Sequence, residues 1–332
     1  MIETIYIEEA ILHHPRTQTI VARFPKAQQI TCKRYGEVFN PKSQNFRLQK
    51  RKPALILAEK YKNQVLPAPP GYGVGAKHNY YFSHMLNCLY DCRYCFLQGM
   101  YQSANYVLFV NYETFQGQIG EIAKATPEQE IHFFSGYDCD SLALEPVTGF
   151  VEAFLPVFRN HANAWLELRT KSTQIRSLLE TEPLSNCIVA FSFTPEVIAK
   201  HIEHRAPSIQ KRLEAMEKLQ QAGWPLGLRF DPMIYQPDYQ NQYQALFKKI
   251  FARLDRENIH SVSLGSFRLP EKFFTKLDRL YPQEELFAGP LEKSNGMVSY
   301  ESALEQDMFE FCSEELLKYI SPENFYPCTV DQ

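Results

Sequence analysis

The sequence predicts an α/β fold in which a parallel sheet curls into an incomplete (β/α)6 barrel. Three observations carry that expectation. First, from residue 78 onward short apolar stretches (78–83, 131–136, 165–171, 187–193, 226–233 and 261–267) alternate with helix-like ones near 113–124, 143–158, 173–180, 195–221 and 239–255. Six such repeats in a row imply a parallel sheet with helices outside. Second, the apolar stretches are rich in β-branched and aromatic residues and do not strictly alternate with polar ones, as expected of strands buried on both faces. Third, chemically suggestive residues fall at the C-terminal ends of successive strands, where barrel enzymes build their active sites. A cysteine-rich loop follows the first strand, Ser135-Gly136 ends the second, Lys171 the third, Ser192 the fourth, and Asp231 the fifth.

Taken in order, residues 3–8 alternate enough for a short strand, and Pro15 starts a short helix within 13–24. Residues 42–62 are strongly basic: Lys42, Arg47, Lys50, Arg51, Lys52, Lys60 and Lys62 stand against the single acid Glu59. That segment reads either as a solvated face or as a patch contacting phosphates. The glycines of 71–75 lack the helix a phosphate-cradling loop needs and read as a turn. Pro207 breaks the helical pattern of 195–221. The expected organisation is an N-terminal α/β subdomain over 1–76, the partial barrel over 77–270, and a C-terminal extension with a hairpin over 271–332.

Bulk properties narrow the function. With 332 residues, the chain can bury one large core with a smaller appendage. A net charge of −3 argues against coating nucleic acid through bulk charge and leaves room for a local basic groove. Eight scattered cysteines fit a reducing compartment better than a disulfide scaffold. The first residues are too charged for a signal peptide, and no apolar run approaches about 20 residues, so a cytoplasmic protein without a membrane segment is expected.

The chemistry centres on Cys88, Cys92 and Cys95, spaced C-x3-C-x2-C within one loop. A structural zinc takes four protein ligands, and iron–sulfur clusters usually take four cysteines. Three thiolates on a four-iron cube would leave one iron open. This arrangement resembles the radical S-adenosylmethionine (SAM) enzymes, in which the open iron chelates SAM and a transferred electron breaks it to a 5′-deoxyadenosyl radical. Zinc stays as the alternative at this point.

The segments NFRLQK (45–50), LNCLYDCRYCFLQGMY with its SAN and VNYE continuation, RTKS (169–172) and FSF…RAPS (191–208) together resemble the spore photoproduct lyase family. The resemblance implies a [4Fe-4S] cluster on Cys88, Cys92 and Cys95, and SAM contacts from Lys171, Ser192 and Asp231, with Ser135 a further candidate. It also implies a DNA lesion as substrate and an electron donor such as flavodoxin or ferredoxin. A different, non-DNA substrate is the alternative. Three departures stand out. The family's hydrogen-returning cysteine aligns with Tyr137, three residues before the Asp140–Glu145–Thr148 pattern, while Cys139 falls on a SAM-contacting serine. One tyrosine of the family's hydrogen relay is Phe96 here, although Tyr94 is kept. The hairpin candidate 292–302 offers Tyr300 but no arginine beside it for wedging into DNA.

The catalytic candidates are therefore Cys139, Tyr94 and Tyr137. Cys139 reads equally as a small buried hydrophobe or as a displaced thiol donor. Tyr137 reads as cavity lining or as a hydrogen donor. The basic segment 42–62, Arg205, and the aromatics Tyr80 and Tyr81 are the candidate DNA contacts. Cys32, Cys187, Cys312 and Cys328 read as structural, and the pairs His13-His14 and His201/His204 as surface or capping histidines.

Overall fold

Seven parallel strands form the main sheet of the computed structural model, which describes residues 2–328. They are β1 (His78–Phe82), β2 (Ile131–Ser135), β3 (Ala164–Thr170), β4 (Cys187–Ser192), β5 (Leu226–Met233), β6 (Ile259–Ser266) and β7 (Phe325–Pro327). Each pairs with the next, and Val65–Pro67 closes the far edge antiparallel to β1. The result is the curled, incomplete barrel that the strand pattern predicts. Strands β2 and β4 are buried at every position, which explains why their sequences run apolar without alternation. The seventh strand is an addition to the six expected: Val262 pairs with Phe325 and Leu264 with Pro327.

The helices cover the outer face through apolar stripes. Helix Phe150–Arg159 buries Phe150, Val151, Phe154, Leu155 and Phe158. Full burial of each such side chain contributes about 1.5–3 kcal/mol. The helical pattern of 195–221 divides into Glu196–Ile202 and Ile209–Gln221, as Pro207 requires. Ser208 caps the second piece by accepting from the Lys211 amide.

A second sheet runs across position 76. Its order is Gln28–Cys32, Thr4–Glu8, Leu55–Ala58, Tyr106–Phe109, Met85–Leu86, with the last pair antiparallel. The N-terminal strands thus share a sheet with the segments flanking the cysteine loop. Beyond the barrel, Arg268–Pro270, Leu291–Ser294 and Met297–Tyr300 form a three-stranded antiparallel sheet. Helix Glu271–Leu280 leans on the short helix Leu97–Met100. Gly99 permits that contact, because a Cβ there would lie 2.5 Å from the Phe273 Cβ. The hairpin expected in 292–302 is present, but Tyr300 is not at its tip. Its ring is 1% exposed and its hydroxyl accepts from the Tyr235 amide at 2.8 Å, so it is a core residue and no wedge. Among the described residues, no helix is long and apolar enough to cross a membrane.

Candidate active site

At the C-terminal ends of the parallel strands lies a cavity of about 550 Å³, and the side chains of Cys88, Cys92 and Cys95 line it. All three are free thiols. Among the described residues, no group of three or more His, Cys, Asp or Glu side chains is placed to hold one metal ion. A zinc ion needs its sulfurs converging at about 2.3 Å from a single point, whereas a cube holds its ligands on separate corners. The trio, which lines the cavity without converging on one point, is compatible with the separate corners of a cube. Burial pushes the Cys88 thiol up to about 12 and raises those of Cys92 and Cys95. Such thiols become thiolates when cations sit among them.

Several backbone ties fix the loop. Asp91–Cys92 pairs antiparallel with Glu203–His204, and the Arg93 amide donates to Ile202 at 2.9 Å. Lys50 reaches in from helix Phe46–Arg51 and donates to the carbonyls of Cys88 and Tyr90, both at 2.9 Å. Arg205 in turn donates to the Lys50 carbonyl at 2.8 Å. This corrects part of the expected basic footprint. Lys50 is 6% exposed and committed to loop carbonyls, so it is not a free phosphate contact, whereas Arg205 is exposed and spends a single guanidinium nitrogen on the Lys50 carbonyl. Lys60 also turns inward, over the rings of Phe109 and Phe115.

Beside the trio runs a buried charge network. Glu203 accepts from the Tyr94 hydroxyl and from Arg212, and its carboxylate lies 3.8 Å from the Lys171 ammonium. Burial disfavours the Glu203 charge, but Arg212 and Lys171 outweigh it and hold the carboxyl below its ordinary range. Arg212 also donates to the carbonyls of Ser192 and Pro207, each at 2.9 Å. Tyr94, Lys171 and Ser192 all line the cavity. Asp140 accepts from the Lys171 amide and from Thr170 Oγ1, both at 2.7 Å, which sets the backbone from which Lys171 projects. Glu145 and Thr148, the rest of that motif, bond to each other, and Glu145 caps the amides of Phe150 and Val151. They do not reach the cavity wall.

The remaining candidates divide. Asp231 lines the cavity 4.0 Å from Arg169. Tyr137 lines it within an aromatic group, 4.5 Å from the ring of Tyr81 and 5.6 Å from those of Tyr72 and Phe96. Cys139 is 6% exposed, lies near Cys88, and accepts from the Met85 amide. Ser135 is not brought to the wall. Its hydroxyl donates inward to the Glu167 carbonyl at 2.9 Å and pairs with Ser141, and the chain turns at Gly136 (φ 88°) before meeting the cavity.

Sequence reasoning passed over several wall residues. Tyr72, from the glycine-bearing turn, accepts from Arg169 at 3.0 Å. Arg268 and Cys328 also line the cavity. A strand-end pattern could have found Arg169, since it precedes Lys171 at the end of β3. Nothing in the sequence marks Cys328, because a three-residue strand ending in proline carries no periodic signal.

The profile of the spore photoproduct lyase family matches residues 71–289, about two-thirds of the chain. The chain belongs to the spore photoproduct lyase family. Curated members include the spore photoproduct lyase of Bacillus subtilis, 23% identical over 296 residues that cover 86% of this chain and 83% of that one. The Clostridium acetobutylicum enzyme is 23% identical over 210 residues, covering 63% and 62%. Among solved structures, a spore photoproduct lyase variant with bound AdoMet and dinucleoside spore photoproduct superposes with a TM-score of 0.86 at 16% identity, covering 100% of this chain and 99% of that one. The lyase complexed with dinucleoside spore photoproduct gives 0.83 at the same identity, covering 99% and 98%. These likenesses extend the family's fold over the whole described chain.

Proposed function

We propose that this chain is a radical SAM enzyme of DNA lesion repair, a lyase acting on a spore-photoproduct-type thymine lesion. The observation that supports the reading most is the placement of three free cysteine thiols, in C-x3-C-x2-C spacing, on one wall of a cavity at the C-terminal end of a curled parallel sheet. Cys88, Cys92 and Cys95 would hold the [4Fe-4S] cluster. When bound, the cluster and SAM would supply one-electron cleavage of the sulfonium to a 5′-deoxyadenosyl radical.

The chain's own residues orient and shield. Lys171 and Ser192 face the cavity and are candidate contacts to the charged methionine end of SAM; Asp231 stands on the same wall as a further contact. Glu203 and Arg212 fix Lys171 and Tyr94 from behind. Phe96 and Tyr137 replace polar or thiol groups of the family's relay with aromatic rings, which leaves Tyr94 bonded to Glu203 without a neighbouring relay hydroxyl at position 96. Ser135 supports β2 from inside the strand layer. The residues of 42–62 left facing solvent, such as Lys42 and Lys52, are candidate phosphate contacts, and a low-potential flavin or ferredoxin-type protein is the candidate electron donor.

Anaerobic reconstitution with iron and sulfide, followed by SAM, dithionite and dinucleoside spore photoproduct, tests the reading. The expected result is a brown protein that yields 5′-deoxyadenosine and repaired thymines, and loses both when Cys88, Cys92 or Cys95 is changed to Ala. Full SAM cleavage in any of those variants refutes the cluster assignment. Turnover of SAM with an untouched dinucleoside would leave the radical chemistry standing and refute the lesion.

A further inference from the structure

Five of the eight cysteines line one cavity: the trio, Cys139 and Cys328. The two thiols outside the trio stand in different neighbourhoods. Cys139 lies near Cys88, with Asp138 and Asp140 also close in charge, and its sulfur is engaged by the Met85 amide. Cys328 sits among Asp231, Arg169 and Arg268, away from the cysteine loop.

The position of Cys328 is built into the sheet. It is the residue directly after β7, and its amide donates to the Leu264 carbonyl at 2.8 Å, continuing the β6–β7 ladder by one step. It therefore stands at the C-terminal end of a parallel strand, level in register with Asp231 of β5 and one pair of residues beyond the level of Lys171 and Ser192. Arg268 holds its carbonyl at 3.0 Å. Gly265 leaves the room it needs, since a Cβ at that position would fall 2.9 Å from the Cys328 Cβ and 3.1 Å from Asp231 Oδ1. Unlike Cys139, Cys328 is partly exposed, and it is a free thiol.

A radical reaction that removes a hydrogen atom from substrate and then breaks a carbon–carbon bond leaves an odd electron on carbon, which must receive a hydrogen atom. Tyr137 stands where the family resemblance expects a cysteine for that purpose. Resting on the proposed function above, we infer that Cys328 is the hydrogen-atom donor to the substrate-derived radical. Its S–H bond breaks as a C–H bond forms, so that R• and Cys328–SH become R–H and Cys328–S•. The thiyl takes one electron from the low-potential donor and one proton from solvent to restore the thiol. Burial and the nearby Asp231 carboxylate push the Cys328 thiol up to about 11, so the transferable hydrogen is present at neutral pH.

The test uses the reconstituted holoenzyme in D2O, where the thiol carries exchangeable deuterium. Deuterium in the repaired thymine, expressed per 5′-deoxyadenosine formed, should fall by about ten-fold or more in Cys328→Ala and equally in Cys328→Ser. The serine keeps the shape and hydrogen bonding of the site, but its O–H bond is too strong to serve, so a purely structural role would leave its deuterium content at the wild-type value. A second readout needs no turnover: iodoacetamide should modify Cys328 in the free protein, and dinucleoside spore photoproduct should slow that modification. Unchanged deuterium in both variants, or labelling that the dinucleoside leaves unaltered, overturns the assignment and returns the role to Cys139 or Tyr137. A wild-type protein that neither forms 5′-deoxyadenosine nor repairs the dinucleoside refutes the underlying reading, and this inference with it.

Discussion

The Glu203–Arg212 pair offers the sharpest quantitative check on how the cavity wall is held. Both side chains are 1% exposed, and Arg212 spends its donors on Glu203, the Ser192 carbonyl and the Pro207 carbonyl. Arg212→Met keeps the apolar stem but strips three hydrogen bonds and leaves Glu203 with the Tyr94 hydroxyl and a Lys171 ammonium 3.8 Å away. Breaking one partner of a buried pair costs about 3–5 kcal/mol. Lys171 compensates part of the charge, so the lower half of that range is expected here. The double variant Glu203→Gln with Arg212→Met removes both charges and should recover to within about 1–2 kcal/mol of wild type, since paired removal is far cheaper than orphaning one charge. Urea unfolding of the reduced apo-protein under anaerobic conditions measures both. A single variant costing under about 1 kcal/mol, or a double variant no better than the single, would refute the view that this network is a tightly coupled buried unit.

Three further outcomes follow from other parts of the molecule. His84 is fully buried against Phe150, with ring centroids 4.0 Å apart, and burial lowers its pKa to about 3. The unfolded chain therefore binds a proton that the folded chain refuses between about pH 6.5 and 3, and stability is lost as pH falls through that window by up to about 1.4 kcal/mol per pH unit. His84→Phe should flatten part of the decline in urea midpoint between pH 7 and pH 5; an unchanged slope contradicts the burial argument. Gly99→Ala places a methyl 2.5 Å from Phe273 Cβ and 2.7 Å from its Cα, so a loss of about 1–3 kcal/mol and faster proteolysis near Glu271–Leu280 are expected. Lys50→Ala should lower iron content after reconstitution more than it weakens binding to duplex DNA, whereas Lys52→Ala, whose side chain is 73% exposed, should do the reverse. Equal effects from the two would show that Lys50 has no special hold on the loop.

What could be read from the sequence depended on length and periodicity. Strands β2, β4 and β6 announce themselves because a parallel sheet covered on both faces demands five or more consecutive apolar or small residues. β7 does not, because three residues ending in Pro327 look like a loop, and with it the position of Cys328 was hidden. The cysteine trio was legible because cluster ligation demands a fixed spacing in one short loop. Lys50 was misjudged for the opposite reason: a cationic side chain spells the same whether it faces phosphate or a loop carbonyl 38 residues away in sequence. Tyr300 misled similarly, since its place beside a hairpin turn does not reveal that the ring folds back under Tyr235.

The segment carrying the three cysteines leaves the barrel sheet after Phe82, touches the N-terminal sheet at Met85–Leu86, makes its loop, and rejoins that sheet at Tyr106–Phe109. The loop thus hangs at both ends from the N-terminal sheet and is tied across to the barrel where Asp91–Cys92 pairs with Glu203–His204, like a hammock stayed to a further post. Its shape cannot be complete until both have folded, so iron loading should come late in maturation. Damage to the N-terminal sheet would then register first as a shortage of bound iron.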